Sequence, residues 1–544
     1  MSRILVIGGY GGFGARLSHR LAGDGHVIAI GGRSIEKAER FCAGLPRAEP
    51  VAIDRTGDVA AVLRAVRPDL VIDAAGPFQD SAYTVPKACI AAGIPYLDLA
   101  DARDFVCGIA ALDGPARAAG VAIVSGASSL PALTGAVARA LAEGLDRVDT
   151  VEVALSASNR ASGGASVVGA ILSYVGRPMR LWRGKRWGRG YGWQELRRVD
   201  FDLAGGGGLR GRLVGLCDVP DLDLLPDLLP GRPAVTFRAG TELRFQMISL
   251  WLASWPVRWA WLHSLRLLEP LLLRLYRATL RIGGARSGMN LVLKGRAAGR
   301  RLGRRWTIVA ERGEGLHIPT LAAQILAGDI LGGRVEAGAR SAAGLLTLDR
   351  FEPLLAGLAV RHERTEHELP PPLYARAMGN AFKDLPRSVQ EIHDVCGDAG
   401  AAGEALVVCG RGAVARLLAR LMRLPPEGEW PLHVHFAERD GVETWTRDYG
   451  GNVMRSSLSE RPGGVVERFG PVRFAFDLVP RPKGLAMRLA GWSVFRVPLP
   501  RFLAPRVIAN ERDDGGRFHF DVSVRLPIIG DVVHYRGGLA PLRG

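Results

Sequence analysis

Gly9, Gly11 and Gly14 stand in the spacing Gly-x-Gly-x-x-Gly, just after the apolar run Ile4-Leu5-Val6-Ile7. Residues without side chains let anionic oxygens reach backbone N–H groups, and a helix started there adds the positive end of its dipole. In such a turn the first glycine makes the bend. The second admits a pyrophosphate, and the third lets helix and strand pack closely. Gly12 and Phe13 lie inside the same turn and contribute their own N–H groups. The pattern predicts a strand–turn–helix unit that binds a dinucleotide.

A second strand, His26–Ile30, ends in Gly31-Gly32-Arg33-Ser34. A carboxylate at this point would bond the ribose 2′-hydroxyl of NAD. Arg33 is there instead, with Ser34 beside it and Lys37 one helical turn on. A guanidinium can pair a 2′-phosphate through two N–H groups. These residues point to NADP(H), the alternative being that Arg33 is a solvated loop residue. Asp54 closes a third strand near the expected adenine pocket. A fourth strand runs into Ala75-Gly76-Pro77-Phe78, which would lie beside the nicotinamide, and a fifth ends at Asp98, with Asp101 just beyond it. Ligands of open parallel sheets bind beyond the carboxyl ends of the strands. Asp98 and Asp101 are therefore the catalytic candidates, able to move a proton or hold an amine. Asp98 could instead cap the next helix.

The alternation of apolar strands with helical patterns over residues 1–125 predicts a doubly wound parallel sheet of Rossmann type. The composition, 48% hydrophobic and 23% charged over 544 residues, is that of a multidomain globular protein. Arginine carries most of the net charge of +17, which favours anionic partners such as a phosphorylated cofactor or an acidic lipid surface. The six cysteines are scattered and predict neither a disulfide framework nor a zinc site. His433 and His435 share one face of a strand, but spacing supplies no third ligand, so no metal is expected. No helix-turn-helix, zinc or RNA-recognition motif supports nucleic-acid binding. The sequence opens on a strand rather than a signal peptide, so the expected location is the cytoplasm.

Gly9–Gly14, Gly31–Ser34, Ala74–Phe78, Tyr96–Asp98 and Gly126-Ala-Ser-Ser-Leu-Pro131 come in an order that resembles the saccharopine-dehydrogenase-like oxidoreductases. The likeness continues more weakly to about residue 360, through Ser287-Gly-Met289, Trp306–Ala310 and Gly338-Ala339. It implies NAD(P) binding at the N-terminus and a second α/β domain on a mixed sheet whose end returns to the first. Ala100-Asp101 stands where many members carry Gly-Glu.

Domains are expected at 1–125 and 126–361, the latter a substrate or dimerisation domain. Residues 362–372, charged and then triply proline, read as a linker. Residues 373–544 read as an α+β domain on an antiparallel sheet, with one amphipathic helix at Ala413–Met422. This part resembles a domain family of unknown function through Trp445-x-Arg447, Pro498-Leu-Pro500 and Tyr535-x-Gly537-Gly538. Two further stretches stand out. Residues 177–193 interleave arginine with aromatic residues, which suits either base stacking or a hairpin around Gly184-Lys185 with Trp182 facing Trp187. Residues 247–281 combine four tryptophans, many leucines and helically spaced arginines. They are too interrupted to span a bilayer but are built to lie on one, at the periphery of a bacterial inner membrane, or else to pack on the sheet.

The function expected from these features is an NADP(H)-dependent oxidoreductase acting by hydride transfer on an apolar acyl, lipid or polyketide-like small molecule, with a homodimer as the expected assembly. A polar two-carboxylate substrate would leave the 247–281 stretch without a purpose. The alternative is a non-catalytic nucleotide sensor or lipid-binding protein with a Rossmann reader domain.

Overall fold

The computed structural model describes all residues except 161–164, 422–423, 501, 503, 528 and 544. Six strands, β1 (Arg3–Ile7), β2 (Val27–Gly32), β3 (Ala48–Ala52), β4 (Leu70–Asp73), β5 (Tyr96–Asp98) and β6 (Ala122–Ser125), form a parallel sheet. Its order is 6-5-4-1-2-3, and the late strand Gly338–Ser341 pairs in parallel outside β6. Ile4, Leu5, Ile28, Ile30, Val71 and Ile72 are fully buried. Their runs are apolar on both faces because helices cover both sides of a parallel sheet. The chain order reverses between β1 and β4, so a crevice opens beyond their carboxyl ends.

A second sheet of seven strands is mixed. The strands Arg147–Ala157 and Ala234–Thr241 run parallel, while the other pairings are antiparallel. One apolar core joins the two sheets. It passes from Ile4 and Val6 through Val137 and Leu141 of the helix Thr134–Ala142, and through Leu321 and Leu326 of Ile318–Leu331, to Val153 and Trp306. The two α/β layers therefore cannot separate without opening that core.

The stretch expected as a linker, 362–372, is mostly something else. Val360–Glu368 is the outermost strand of the second sheet and pairs with Arg300–Ala310 along its length. An edge strand carries charge because one side meets water. Here the charges also pair across strands, Arg304 Nε donating to Glu366 at 2.6 Å and Arg300 to Glu368 at 3.2 Å. Composition alone reads such a strand as solvated chain; only 369–372 connects this sheet to the C-terminal region.

The C-terminal region is an eleven-stranded antiparallel sheet in which Val472–Arg481 and Gly484–Val494 also pair with each other, closing ten strands into a barrel. The amphipathic helix spans Ala413–Leu421; Met422, its expected last residue, lies outside the described residues. The basic and aromatic stretch forms the hairpin Pro178–Arg183 and Arg186–Tyr191, with Trp182 opposite Trp187 at 5.4 Å between ring centroids. Its tip docks on the barrel wall. His433 Nε2 donates to the Gly184 carbonyl at 2.8 Å, and Gly184 N donates to Asp398, which His435 also holds at 2.6 Å. A Cβ at Gly400 would overlap the Gly184 carbonyl, so the approach needs glycine there.

Candidate dinucleotide and substrate site

The turn after β1 is built from backbone. Gly8 takes φ +76° and donates to the Gly31 carbonyl at 2.8 Å, and Gly11 N donates to Gly8 O at 2.8 Å. The helix α1 (Gly12–Gly23) starts at once, with Gly11 as its N-cap and no acidic residue in its first turn. The N–H groups of Gly12, Phe13 and Gly14 thus open the helix without intrahelical partners. A Cβ on Gly9 would come within 2.8 Å of Val6 O, and one on Gly14 would overlap Gly8 O. This cradle exists only without side chains, and it suits a pyrophosphate. Ser18 closes it from behind, its hydroxyl donating to Gly9 O at 3.1 Å.

At the end of β2, Arg33 is exposed. Asp54, also exposed, accepts from the Thr56 N–H and hydroxyl, and these bonds with the Arg33 charge hold its carboxyl below the usual range. Ser34 caps the helix α2 (Ile35–Cys42), accepting from Lys37 N at 3.3 Å, and donates to Glu36 at 2.6 Å. Its hydroxyl is therefore engaged by the helix start, while the exposed Lys37 side chain lies on the first turn. Tyr10, which the glycine spacing does not single out, lies over Gly32, its hydroxyl accepting from Ser34 N at 3.1 Å.

The Ala75–Phe78 loop leaves β4 across the crevice. Arg55 is the residue that sequence reasoning missed here. It donates to Ala75 O at 2.6 Å, pairs with Asp73 at 3.3 Å and lies 4.5 Å over the Phe78 ring. Asp73 is fully buried, and burial raises its carboxyl to about 6 despite the Arg55 charge. Gly76 is exposed, Pro77 is half-buried, and Phe78 is buried against Phe105. Arg55 comes directly after Asp54, so an arginine at the end of β3 is the signal that could have found it.

The two acidic candidates separate. Asp98 has no exposed surface. One of its oxygens accepts from Ala100 N at 3.0 Å, Ser125 Oγ at 3.0 Å and Gly126 N at 2.7 Å. Burial pushes it up to about 6, against these three bonds. Asp98 ties the ends of β5 and β6 together, a positioning role that does not fit the expectation of a group touching substrate. Asp101 keeps solvent access, and Gln79 donates to it at 3.5 Å. Next to it lies a cleft of about 260 Å³ lined by Phe78, Gln79, Arg103, Tyr174, Arg177 and Asp218. Arg103 is fixed by Asp223 and Asp218, at 2.5 and 2.9 Å. The Tyr174 hydroxyl lies 2.9 Å from Cys217 Sγ, and burial raises both groups.

At the rim of the cleft, Asp80 pairs with Arg266 at 3.6 Å. That contact brings in the helices Arg244–Arg258 and Glu269–Thr279. Leu252, Trp259, Trp261, Leu267, Leu271 and Leu275 are all exposed there, Leu267 by 82%. No helix among the described residues is long and apolar enough to cross a membrane.

The sheet order, crevice and glycine cradle define a Rossmann-type dinucleotide-binding module. Residues 4–124 match the family model described as the saccharopine dehydrogenase NADP binding domain, and residues 385–539 match a domain of unknown function, DUF4166. No curated protein matches the chain. Among solved structures, apo histidine-tagged saccharopine dehydrogenase (L-Glu forming) from Saccharomyces cerevisiae is similar at 12% identity, covering 67% of this chain and 100% of its own, with a TM-score of 0.46. Amine dehydrogenase from Mycobacterium smegmatis is similar at 12% identity over 64% of this chain and 95% of its own, with a TM-score of 0.34. The match over 4–124 supports a nicotinamide cofactor and an oxidoreductase.

Proposed function

We propose that the protein is an NADP(H)-dependent oxidoreductase whose substrate is largely apolar. The carrying observation is an exposed arginine, Arg33, at the strand end that faces the glycine cradle, where an NAD-binding site would carry a carboxylate. Gly9, Gly11 and the first N–H groups of α1 would hold the pyrophosphate. Arg33 and Lys37 would meet the 2′-phosphate, with Ser34 setting the start of α2 between them. When bound, the cofactor supplies or accepts a hydride. The chain's part is to orient and to manage protons. Arg55 holds the Ala75–Phe78 loop in place through its bonds to Ala75 and Asp73. Asp98 keeps the β5 and β6 ends aligned. Asp101, which keeps solvent access and accepts from Gln79, is the group suited to exchange a proton with a substrate in the adjoining cleft.

An apolar substrate is supported by the exposed leucines and tryptophans whose segment reaches the cleft rim at Asp80. Arg266, Arg274, Arg277 and Arg281 lie in the same segment. Apolar side chains flanked by arginines suit the interface of an anionic bilayer, from which such a substrate would be drawn.

Two measurements test this reading. NADPH should bind more tightly than NADH, and NADPH should be consumed with a long-chain ketone or enone in a substrate panel. Equal binding of the two cofactors sinks the NADP assignment, and tight NADPH binding without turnover across the panel favours the reader role. Vesicles of phosphatidylglycerol should sediment the protein and phosphatidylcholine vesicles should not, and Trp259→Ser with Trp261→Ser should abolish sedimentation. Equal recovery from both lipids would remove the membrane contact.

A further inference from the structure

The C-terminal barrel is hollow. Its lumen holds a cavity of about 350 Å³, within the range of small-molecule sites. Strand alternation makes the lining: Phe474 and Phe476, Phe518 and Phe520, and Met487 point inward from three different strands. A small closed barrel is ordinarily filled by its own side chains unless it holds a ligand.

The polar groups in this apolar wall are few and specific. Arg447 pairs with Glu467 at 3.3 Å and donates to Ser456 Oγ at 2.8 Å. Glu511 is held by His393 at 2.7 Å. The charged groups that face the lumen thus already have hydrogen-bond partners. Two fully buried hydroxyls do not. Tyr374 and Tyr449 are fully buried, both line the cavity, and neither hydroxyl has a hydrogen-bond partner among the described residues. A buried donor without a partner is unfavourable, and a partner brought by a ligand removes that penalty. Trp492, Pro505, Val507 and Leu526 line both this cavity and a neighbouring surface groove of about 950 Å³, which offers a way in.

We infer that the barrel binds a neutral, mainly apolar molecule bearing one hydroxyl or carbonyl oxygen, which meets the hydroxyls of Tyr374 and Tyr449. A carboxylate would find no free cation among the described residues of the lining, since Glu467 already neutralises Arg447. A pure hydrocarbon would leave both hydroxyls unpaired. The site is separate from the dinucleotide crevice, and the inference does not rest on the oxidoreductase reading.

Calorimetric titration of the full-length protein without dinucleotide tests it, with decan-1-ol, decan-2-one, decanoate and decane as probes. The alcohol and the ketone should each saturate one site per chain, at least tenfold more tightly than decanoate or decane. Tyr449→Phe should weaken both by about fivefold and leave decane unchanged. Ala509→Phe, which narrows the lumen, should abolish binding, with circular dichroism reporting the fold. No saturable binding of alcohol or ketone, equal binding of decanoate, or unaltered binding in Tyr449→Phe would each overturn the inference. None of these outcomes depends on whether NADPH binds.

Discussion

The glycine turn and the barrel lumen are two binding surfaces built by opposite means. At the turn, the ligand-facing atoms are backbone N–H groups, and the design consists of removing side chains. In the barrel, the backbone groups are used by the strand ladder, so inward side chains are left to shape a site. A backbone site is therefore intolerant of any added carbon but indifferent to side-chain chemistry. A lumen is intolerant of lost volume and sensitive to each polar group. Glu443, Glu467 and Glu511 sit nearly buried in the barrel. Among the described residues of the parallel sheet's strands, only Asp73 and Asp98 carry a comparable load.

The largest effect should come from the barrel wall. Phe436 is 1% exposed and packs edge-on against Trp445 at 4.9 Å. Phe436→Ala should cost about 3–5 kcal/mol in denaturant unfolding of the barrel. NADPH affinity should stay unchanged; a parallel loss of affinity would break the separation of the two surfaces. Gly14→Val drives a side chain into the Gly8 carbonyl and should weaken NADPH by about 100-fold or more, roughly 3 kcal/mol. Decan-1-ol binding to the same variant should be that of the wild type. Arg33→Ala should weaken NADPH by about tenfold or more, as lost charged hydrogen bonds of about 1.5–3 kcal/mol imply, with NADH unaffected. An unchanged NADPH-to-NADH ratio would remove Arg33 from the site.

The smallest is a change of slope. Asp221 is fully buried, and burial raises its carboxyl to about 7. The folded state then holds a proton that the unfolded chain releases near its ordinary value, about 4. Stability from this group is present at low pH and falls as pH rises between those values. Asp221→Asn should flatten the decline of melting temperature between about pH 4 and pH 7. An identical decline in wild type and variant would show that Asp221 ionises without cost.

Legibility tracks the range of the interactions. The glycine cradle is a local affair of about eleven residues, and spacing alone describes it. The place of Arg33 at the end of β2 is legible for the same reason, as it lies one strand away from the turn. Arg55 is not, because its meaning comes from Ala75, Asp73 and Phe78, which lie two elements further along the chain. Asp98 is misleading for a related reason. Its place at a strand end is visible, but Ser125 and Gly126, which occupy its carboxylate, belong to the end of the next strand. The charged edge strand Val360–Glu368 resembles a linker until Arg300 and Arg304 are set beside it.

By itself, the order of residues determined the parallel sheet, the backbone turn and the basic strand end. Each of these depends on apolar periodicity and on glycine, which act within a few residues. Only the tertiary structure decided that ten strands close on themselves, that His433 and His435 grip a hairpin tip, and that two buried tyrosines with unpaired hydroxyls line an apolar lumen. Closure depends on the pairing of Val472–Arg481 and Gly484–Val494 together with the full circuit of strands around them. No local pattern encodes a cavity, because a cavity is the space that many distant side chains leave unfilled.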